Sequence, residues 1–149
     1  MNNYFIILAA GKGHRFGQNK PKQYFNFKGK KLIYHSIDKA INSKLFKKVI
    51  VVISKRHRKE LHKYNNKLIL VIGGKDRKDS SLNALKKIKK YKPNNVLIHD
   101  AARPNFSIEL LKKLISQLKY HDAVVPFIKS KDSIKYKNKD IHINLNRNK

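Results

Sequence analysis

The sequence predicts an α/β fold in which a mostly parallel sheet is covered by helices on both faces. Short apolar runs of strand length alternate with segments of helical pattern, which is typical of this fold class. The runs are rich in valine and isoleucine, as in strands that are buried on both faces. The first run also ends in a glycine-rich loop, and ligands of such folds bind where the parallel strands end.

Each element follows from its own pattern. Five apolar runs predict strands at residues 4–9, 49–53, 68–72, 96–99 and 123–127. Apolar residues at helical spacing predict helices at residues 32–42, 80–90 and 107–118. Ser107 is expected to be the N-cap of the third helix, because Ile108 and Glu109 follow it. Residues 129–149 are polar with partial alternation, which favours a hairpin over another strand and helix.

The loop after the first strand has the features of a phosphate-binding loop. Gly11, Gly13 and Gly17 allow the backbone to turn sharply and bring its N–H groups close to an anion. Its cations are Lys12, Arg15, Lys20 and Lys22, and no acidic residue precedes Asp38. The spacing differs by one residue from the dinucleotide fingerprint, and no Gly-Lys-Ser/Thr closes an ATP-type loop. On these residues alone, an ordinary turn between a strand and a helix stays open as an alternative.

Composition restricts the classes of function. The 149 residues, 40% of them hydrophobic, suit one domain with a sizeable core. The absence of cysteine excludes disulfides and thiolate metal sites, and it agrees with a cytoplasmic protein. No apolar run approaches the ~20 residues of a membrane span. The net charge of +27 comes from lysines spread through every segment, so we expect nonspecific attraction to polyanions but no specific nucleic-acid binding.

Several motifs together resemble the 2-C-methyl-D-erythritol 4-phosphate cytidylyltransferase family of isoprenoid precursor synthesis. They are Ala-Ala-Gly-x-Gly-x-Arg at residues 9–15, Pro-Lys-Gln-Tyr at 21–24, Gly-Gly-Lys-Asp-Arg-Lys-Asp-Ser at 73–80, His-Asp-Ala-Ala-Arg-Pro at 99–104, and Lys-Asp-Ser-Ile-Lys at 131–135. Their order and approximate spacing match over essentially the whole chain. The ribitol 5-phosphate cytidylyltransferases share the fold and the loop, but Ala102 and the block at residues 77–80 favour the methylerythritol enzyme.

This resemblance implies a fold and a reaction. The fold is a Rossmann-like nucleotidyltransferase, glycosyltransferase-A-like: a three-layer sandwich with a mostly parallel sheet and a C-terminal β-arm. Residues 129–149 would be the arm that reaches across a homodimer. The reaction would transfer CMP from CTP to 2-C-methyl-D-erythritol 4-phosphate, giving 4-diphosphocytidyl-2-C-methyl-D-erythritol and pyrophosphate. The alternatives are a ribitol 5-phosphate cytidylyltransferase and an inactive, truncated nucleotide-binding remnant.

The resemblance also assigns roles at the nucleotide. Arg15 and Lys22 would stabilise the transition state of phosphoryl transfer, which needs positive charge more than a general base. The expected nucleotide-binding residues are Ala9, Ala10, Gly11, Gly13, Gly73, Gly74 and Ser80. Gln23 and Tyr24 would hold the shape of the loop. The alternatives are that Lys22 is a solvated surface lysine and that Ser80 caps the helix that begins there.

At the sugar-alcohol phosphate, the resemblance implies a second set of residues. Expected acceptor-binding residues are Asp100, Arg103, Ser133 and Arg147, with Ser133 where the family has threonine and Arg147 contributed by the other subunit. Asp100 would also hold Mg²⁺ or another divalent cation, since Mg²⁺ uses few carboxylates beside substrate phosphates. The alternatives are that Asp100 caps a helix or turn and that Arg147 is a frayed terminal residue. Family members continue beyond residue 149, so we expect this chain to be the truncated N-terminal part of one domain.

Overall fold

The structure is a computed structural model that describes residues 2–11, 20–64, 68–128, 134–138 and 141–145. The strands are β1 (Asn3–Leu8), β2 (Asn26–Phe27), β3 (Lys30–Lys31), β4 (Lys48–Ile53), β5 (Leu68–Ile72), β6 (Asn95–Asp100), β7 (Ile134–Asn138) and β8 (Ile141–Leu145). The α-helices are α1 (Leu32–Asn42), α2 (Arg77–Ile88) and α3 (Ile108–Gln117). Short 3-10 helices lie at Lys22–Tyr24 and Lys89–Tyr91, and a longer 3-10 stretch at Lys55–Tyr64 is kinked at Leu61.

The main sheet has the order β5-β4-β1-β6, and its strands are parallel. The chain therefore adds strands on one side of β1, through β4 to β5, and then returns to place β6 on the other side. In the register, Leu8 lies beside both Val52 and Asp100. The topological switch point is thus between β1 and β6, where α/β folds bind ligands at the carboxyl ends of their strands.

Alternation along β1 divides the core into two layers. Phe5 and Ile7 belong to one buried cluster, which also contains residues of α1 and α3. Tyr4 and Ile6 belong to a second cluster on the other face of the sheet, with Ala84 and Ile88 of α2. Successive side chains of a strand point to opposite faces, so a central strand that is apolar throughout requires cover on both sides. The three-layer arrangement with a mostly parallel sheet is confirmed.

Most predicted elements agree with the structure to within one or two residues. The helix at residues 32–42 is α1, and Ser107 caps α3 as expected, with its Oγ accepting from the Leu110 N–H at 3.0 Å. The predicted start of α2 is wrong by three residues. The helix begins at Arg77 because Asp76 is its N-cap, with its carboxylate accepting from the Asp79 N–H at 2.8 Å.

The predicted strand at residues 123–127 is also wrong, since this stretch is irregular in the structure. Its apolar side chains are largely exposed, with Val125 at 79% and Phe127 at 87%. A strand is held by hydrogen bonds to a neighbour and by cover over its apolar face, and none of the described strands pairs with this stretch. Apolar alternation alone therefore does not make this stretch a strand.

Beyond residue 128, β7 and β8 pair antiparallel, with Ile134 opposite Leu145 and Asn138 opposite Ile141. They form a two-stranded sheet separate from the main one. The role of this segment as a dimerisation arm stays a prediction. Within the part of the chain that the structure describes, no helix combines the length and the apolar character needed to cross a membrane.

Candidate active site

The loop that follows β1 is held in place from two directions. The Ala9 N–H donates to the Val52 carbonyl at 2.7 Å, which continues the sheet one residue beyond β1. On its other side, the Gln23 amide donates to the carbonyls of Ala9 and Gly11 at 2.8 and 3.1 Å, and the Tyr24 hydroxyl donates to Ala9 at 3.2 Å. Gln23 and Tyr24 thus hold the described start of the loop, as expected. Gly11 itself is exposed, and a Cβ added there would meet no atom within 4 Å.

Lys22 lies beside this loop, at the start of a 3-10 helix. Its neighbours Pro21 and Gln23 are buried, while Lys22 is exposed. Burial of the residues on both sides fixes the backbone of Lys22, although its own side chain reaches the surface. This placement fits a cation that contacts an exposed anion beside the loop.

A second loop, after β5, packs directly on the first. A Cβ added to Gly73 would lie 2.3 Å from the Ala10 Cβ and 2.9 Å from the Ser80 Oγ, so only glycine fits there without a shift. The Gly73 N–H donates to the Ile53 carbonyl at 2.9 Å, and the Gly74 N–H donates to the Ser80 Oγ at 3.2 Å. The structure thus brings Ala10, Gly73, Gly74 and Ser80 together.

Ser80 is buried in the first turn of α2, and its side chain does not act as the N-cap of that helix. Because Asp76 caps α2, the alternative that Ser80 begins the helix is wrong. The Ser80 hydroxyl instead accepts from the glycine loop. A hydroxyl has a proton to donate as well as two acceptor lone pairs, so it retains the capacity to contact a ligand.

Asp100 ends β6, on the strand next to β1. Its Oδ1 accepts from the Arg77 Nε at 3.3 Å, and its Oδ2 lies 3.6 Å from the Arg103 Nε. The Arg103 N–H also donates to the Asp100 carbonyl at 3.1 Å, so Asp100 does open a turn, but through its backbone. Asp100 and Arg103, two of the predicted acceptor residues, are therefore neighbours.

The segment after Asp100 is braced by a lysine from α1. The Lys39 Nζ donates to the carbonyls of Pro104 and Phe106 at 3.0 and 2.6 Å, and it lies 4.8 Å from the centre of the Phe106 ring. His99 packs edge-on against Phe106, and its Nε2 donates to the Arg103 carbonyl at 2.8 Å. Burial lowers the pKa of His99 below its usual value, so the ring is neutral at pH 7.

On the other side of the Pro-Lys-Gln-Tyr segment, Glu60 pairs with two lysines. Its carboxylate lies 2.5 Å from the Lys31 Nζ and 3.6 Å from the Lys20 Nζ. Burial acts to raise the pKa of Glu60, but the Lys31 hydrogen bond and the two lysine charges outweigh it and hold that pKa below its usual value. Glu60 thus ties the start of the segment that carries Lys22 to the helix at Lys55–Tyr64.

Four predicted site residues lie outside the described residues: Gly13, Arg15, Ser133 and Arg147. Sequence reasoning missed the roles of Arg77, Lys39 and Glu60. Arg77 and Asp100 are 23 residues apart on different elements, and no periodicity relates them. The only signal for Arg77 was its place in the Gly-Gly motif. Lys39 had no signal, because nothing in the sequence distinguishes it from the chain's many other lysines.

The donor set at Asp100 fits a divalent cation that is held mainly by phosphates. Among the residues that the structure describes, no three His, Asp or Glu side chains cluster to form a protein-only metal site. Mg²⁺ commonly takes one or two carboxylates and completes its shell with phosphate oxygens and water. Each Asp100 oxygen has more than one lone pair, so the arginine contacts leave capacity for a metal.

Comparison with known sequences gives a consistent result. A family model described as IspD, 2-C-methyl-D-erythritol 4-phosphate cytidylyltransferase, matches residues 4–148. A bifunctional enzyme IspD/IspF of Pelagibacter ubique is 50% identical over 99% of this chain and 40% of its own length. A 2-C-methyl-D-erythritol 4-phosphate cytidylyltransferase of Clostridium beijerinckii is 36% identical over 89% of this chain and 60% of its own length. The chain thus spans less than two thirds of these relatives.

Comparison with solved structures agrees. The 4-diphosphocytidyl-2C-methyl-D-erythritol synthase of Anaerococcus prevotii superposes with a TM-score of 0.82 at 30% identity, over 99% of this chain and 65% of that protein. The bifunctional IspDF of Campylobacter jejuni has a TM-score of 0.79 at 24% identity, which shows a shared fold.

Proposed function

Because the chain belongs to the 2-C-methyl-D-erythritol 4-phosphate cytidylyltransferase family, we propose that it transfers CMP from CTP to 2-C-methyl-D-erythritol 4-phosphate. The products are 4-diphosphocytidyl-2-C-methyl-D-erythritol and pyrophosphate. The observation that carries this proposal is that three segments meet at the carboxyl ends of the parallel strands. The loop at residues 9–11 packs on Gly73, and its strand runs beside the one that ends at Asp100.

The reaction needs little acid–base chemistry from the protein. A phosphate oxygen of the acceptor attacks the α-phosphorus of CTP, the bond from that phosphorus to the bridging oxygen breaks, and pyrophosphate leaves. With a second pKa near 6, a phosphate monoester is already largely ionised at pH 7. The protein's contribution is to position two anions and to stabilise the charge that develops on the phosphoryl oxygens.

The described residues form two subsites, one for the nucleotide and one for the acceptor. The backbone of Ala9, Ala10 and Gly11 lines the triphosphate, and Lys22 contacts the phosphoryl oxygens in the transition state. The backbone near Gly73 and Gly74, with the Ser80 hydroxyl, contacts the cytosine. Asp100 and Arg103 bind the acceptor on the adjacent strand. These assignments are supported by the placement of the residues at one sheet edge, and Arg15, Gly13, Ser133 and Arg147 complete them by family resemblance.

A divalent cation, Mg²⁺ in the first instance, would be held by Asp100 together with the phosphates of CTP. When bound, it would neutralise charge on the triphosphate and favour departure of pyrophosphate.

We further propose a cytoplasmic homodimer. The absence of cysteine suits a reducing compartment. The paired strands β7 and β8 form a sheet of their own, which suits an arm that extends to a second subunit. Analytical ultracentrifugation tests the dimer, since a monomer at micromolar concentration would contradict it.

Pyrophosphate release tests the function. The full chain is incubated with CTP and Mg²⁺, and with either 2-C-methyl-D-erythritol 4-phosphate or ribitol 5-phosphate as acceptor. Turnover with the first acceptor alone supports the proposal, and turnover with ribitol 5-phosphate alone assigns the second substrate class. No turnover from a chain that is folded by circular dichroism would refute the proposed activity for this chain.

A further inference from the structure

Arg77 connects the two halves of the candidate active site. It is the first residue of α2, three residues before Ser80, whose hydroxyl accepts from the glycine loop. Its Nε donates to Asp100 Oδ1 at 3.3 Å, at the end of β6. A single side chain therefore joins the segment that would contact the base to the segment that would contact the acceptor.

This ion pair contributes little to stability. The side chains of Arg77 and Asp100 are 65% and 37% exposed, and pairs in such positions are typically worth about 0–1 kcal/mol because solvent screens them. Its effect is geometric. With Arg77 at one carboxylate oxygen and Arg103 at the other, both Asp100 oxygens have a set direction. The rigid guanidinium is suited to this, since it offers donors in a fixed plane.

We propose that Arg77 is a positioning residue that couples occupancy of the nucleotide segment to the orientation of the Asp100 carboxylate. The inference rests on the proposed function, because it assumes that a cytidine nucleotide contacts the segment from Gly73 to Ser80. A nucleotide bound there constrains the first turn of α2, and the Arg77 guanidinium transmits that constraint to Asp100. Because the pair already exists in the ligand-free chain, a bound nucleotide strengthens the orientation in which Asp100 meets the acceptor.

A first experiment uses the ligand-free chain. The Nε–Hε resonance of Arg77 is followed by nitrogen-15 NMR in the wild type, in Asp100→Asn and in the exposed control Asp122→Asn. We expect Asp100→Asn to shift this resonance and Asp122→Asn to leave it unchanged. If Asp100→Asn leaves the chemical shift of the Arg77 Nε–Hε resonance unchanged, the inference is wrong, whether or not the chain binds CTP.

A second experiment adds CTP to the wild type, Arg77→Gln, Arg77→Lys and the matched control Arg58→Gln. We expect all four to bind CTP with similar Kd. The CTP-induced shifts of the Asp100 and Ala101 amides should be lost in Arg77→Gln, partly kept in Arg77→Lys and intact in Arg58→Gln. In turnover, the acceptor KM of Arg77→Gln should rise about fivefold. The affinity for CTP measured with the acceptor bound should fall by the same factor, because coupling between two ligands is reciprocal.

The outcomes separate the two proposals. If Arg77→Gln binds CTP and its Asp100 and Ala101 amides respond as in the wild type, the coupling is wrong while the proposed function stands. If the wild-type chain binds no CTP, the proposed function and the coupling both fail, and only the ligand-free pairing of Arg77 with Asp100 is kept.

Discussion

The side-chain amide of Gln23 donates a 2.8 Å hydrogen bond to the backbone carbonyl of Ala9, the first residue after the central strand. The same amide reaches the Gly11 carbonyl at 3.1 Å. Two carbonyls at the start of the loop are thus held on one side, which fixes the backbone from Ala9 to Gly11. The Pro-Lys-Gln-Tyr segment therefore shapes the loop at the same time as it places Lys22 beside it.

We expect Gln23→Ala to weaken both folding and CTP binding. Because Gln23 is buried and its two carbonyl partners lose a donor, the free energy of unfolding should fall by about 1–3 kcal/mol. CTP binding should weaken about tenfold as the loop loses its shape. Urea denaturation and titration calorimetry measure the two effects.

Tyr24→Phe is the matched control, since it removes only the longer hydroxyl bond to Ala9. Its cost should be about 0.5–1.5 kcal/mol, with a smaller change in CTP affinity. If Tyr24→Phe weakened CTP binding as much as Gln23→Ala, the role assigned to Gln23 would be wrong.

We expect substitutions at Ser80 and Asp76 to separate nucleotide binding from helix stability. Ser80→Ala removes the acceptor of the Gly74 N–H, so CTP affinity should fall about five- to tenfold. Asp76→Ala removes the N-cap of α2 and should cost about 1 kcal/mol of stability with little change in the Kd for CTP. Ser81→Ala is the control, because the Ser81 hydroxyl donates to the Arg77 carbonyl and not to the glycine loop. Equal losses of CTP affinity in Ser80→Ala and Ser81→Ala would contradict the assignment.

We expect Lys22→Ala to lower kcat about 10²–10³-fold, the size of a lost transition-state contact. Because Lys22 is exposed, its removal should change Tm little. Lys112→Ala, an exposed lysine on α3, makes the same change away from the site and should keep normal kcat. Steady-state kinetics measures kcat for both variants. A normal kcat in Lys22→Ala would mean that Lys22 does not stabilise the transition state.

We expect the contribution of Glu60 to stability to depend on pH. Its folded pKa is below the usual value, so its ion pairs stabilise the fold fully above the unfolded pKa of about 4.3. That contribution is lost as the pH falls through the folded pKa. At pH 7, Glu60→Gln should therefore be less stable by up to about 1 kcal/mol, a value limited by solvent screening.

Urea titrations of the wild type and Glu60→Gln at several pH values between 7 and 3 measure this difference. It should shrink as the pH falls below about 4.3, because the carboxyl then becomes neutral like the amide. A difference that stayed constant over the whole range would mean that Glu60 acts through packing and not through its charge.

Much of the fold was predictable because it depends on local patterns. The apolar runs that form β1, β4, β5 and β6 are short and rich in valine and isoleucine, and this local pattern predicts strands. Ser107 caps α3 through a contact three residues away. The stretch at residues 123–127 has the same local pattern and is no strand, because strand formation also needs a neighbour to pair with. The start of α2 was misplaced because serine and aspartate both commonly cap helices, and only the Asp76 carboxylate accepts from a first-turn N–H.

For the candidate site, the residues of the motifs were visible in the sequence, and their mutual contacts were not. The sequence by itself determined the glycines, the lysine of the Pro-Lys-Gln-Tyr segment and the carboxylate after β6, since these residue types and spacings carry the chemistry of anion binding. Only the tertiary structure decided that Gly73 packs on Ala10, that Gln23 holds Ala9, and that Arg77 pairs with Asp100. The physical reason is that these contacts join segments brought together by the order of strands in the sheet, and no short-range periodicity in a chain records that order.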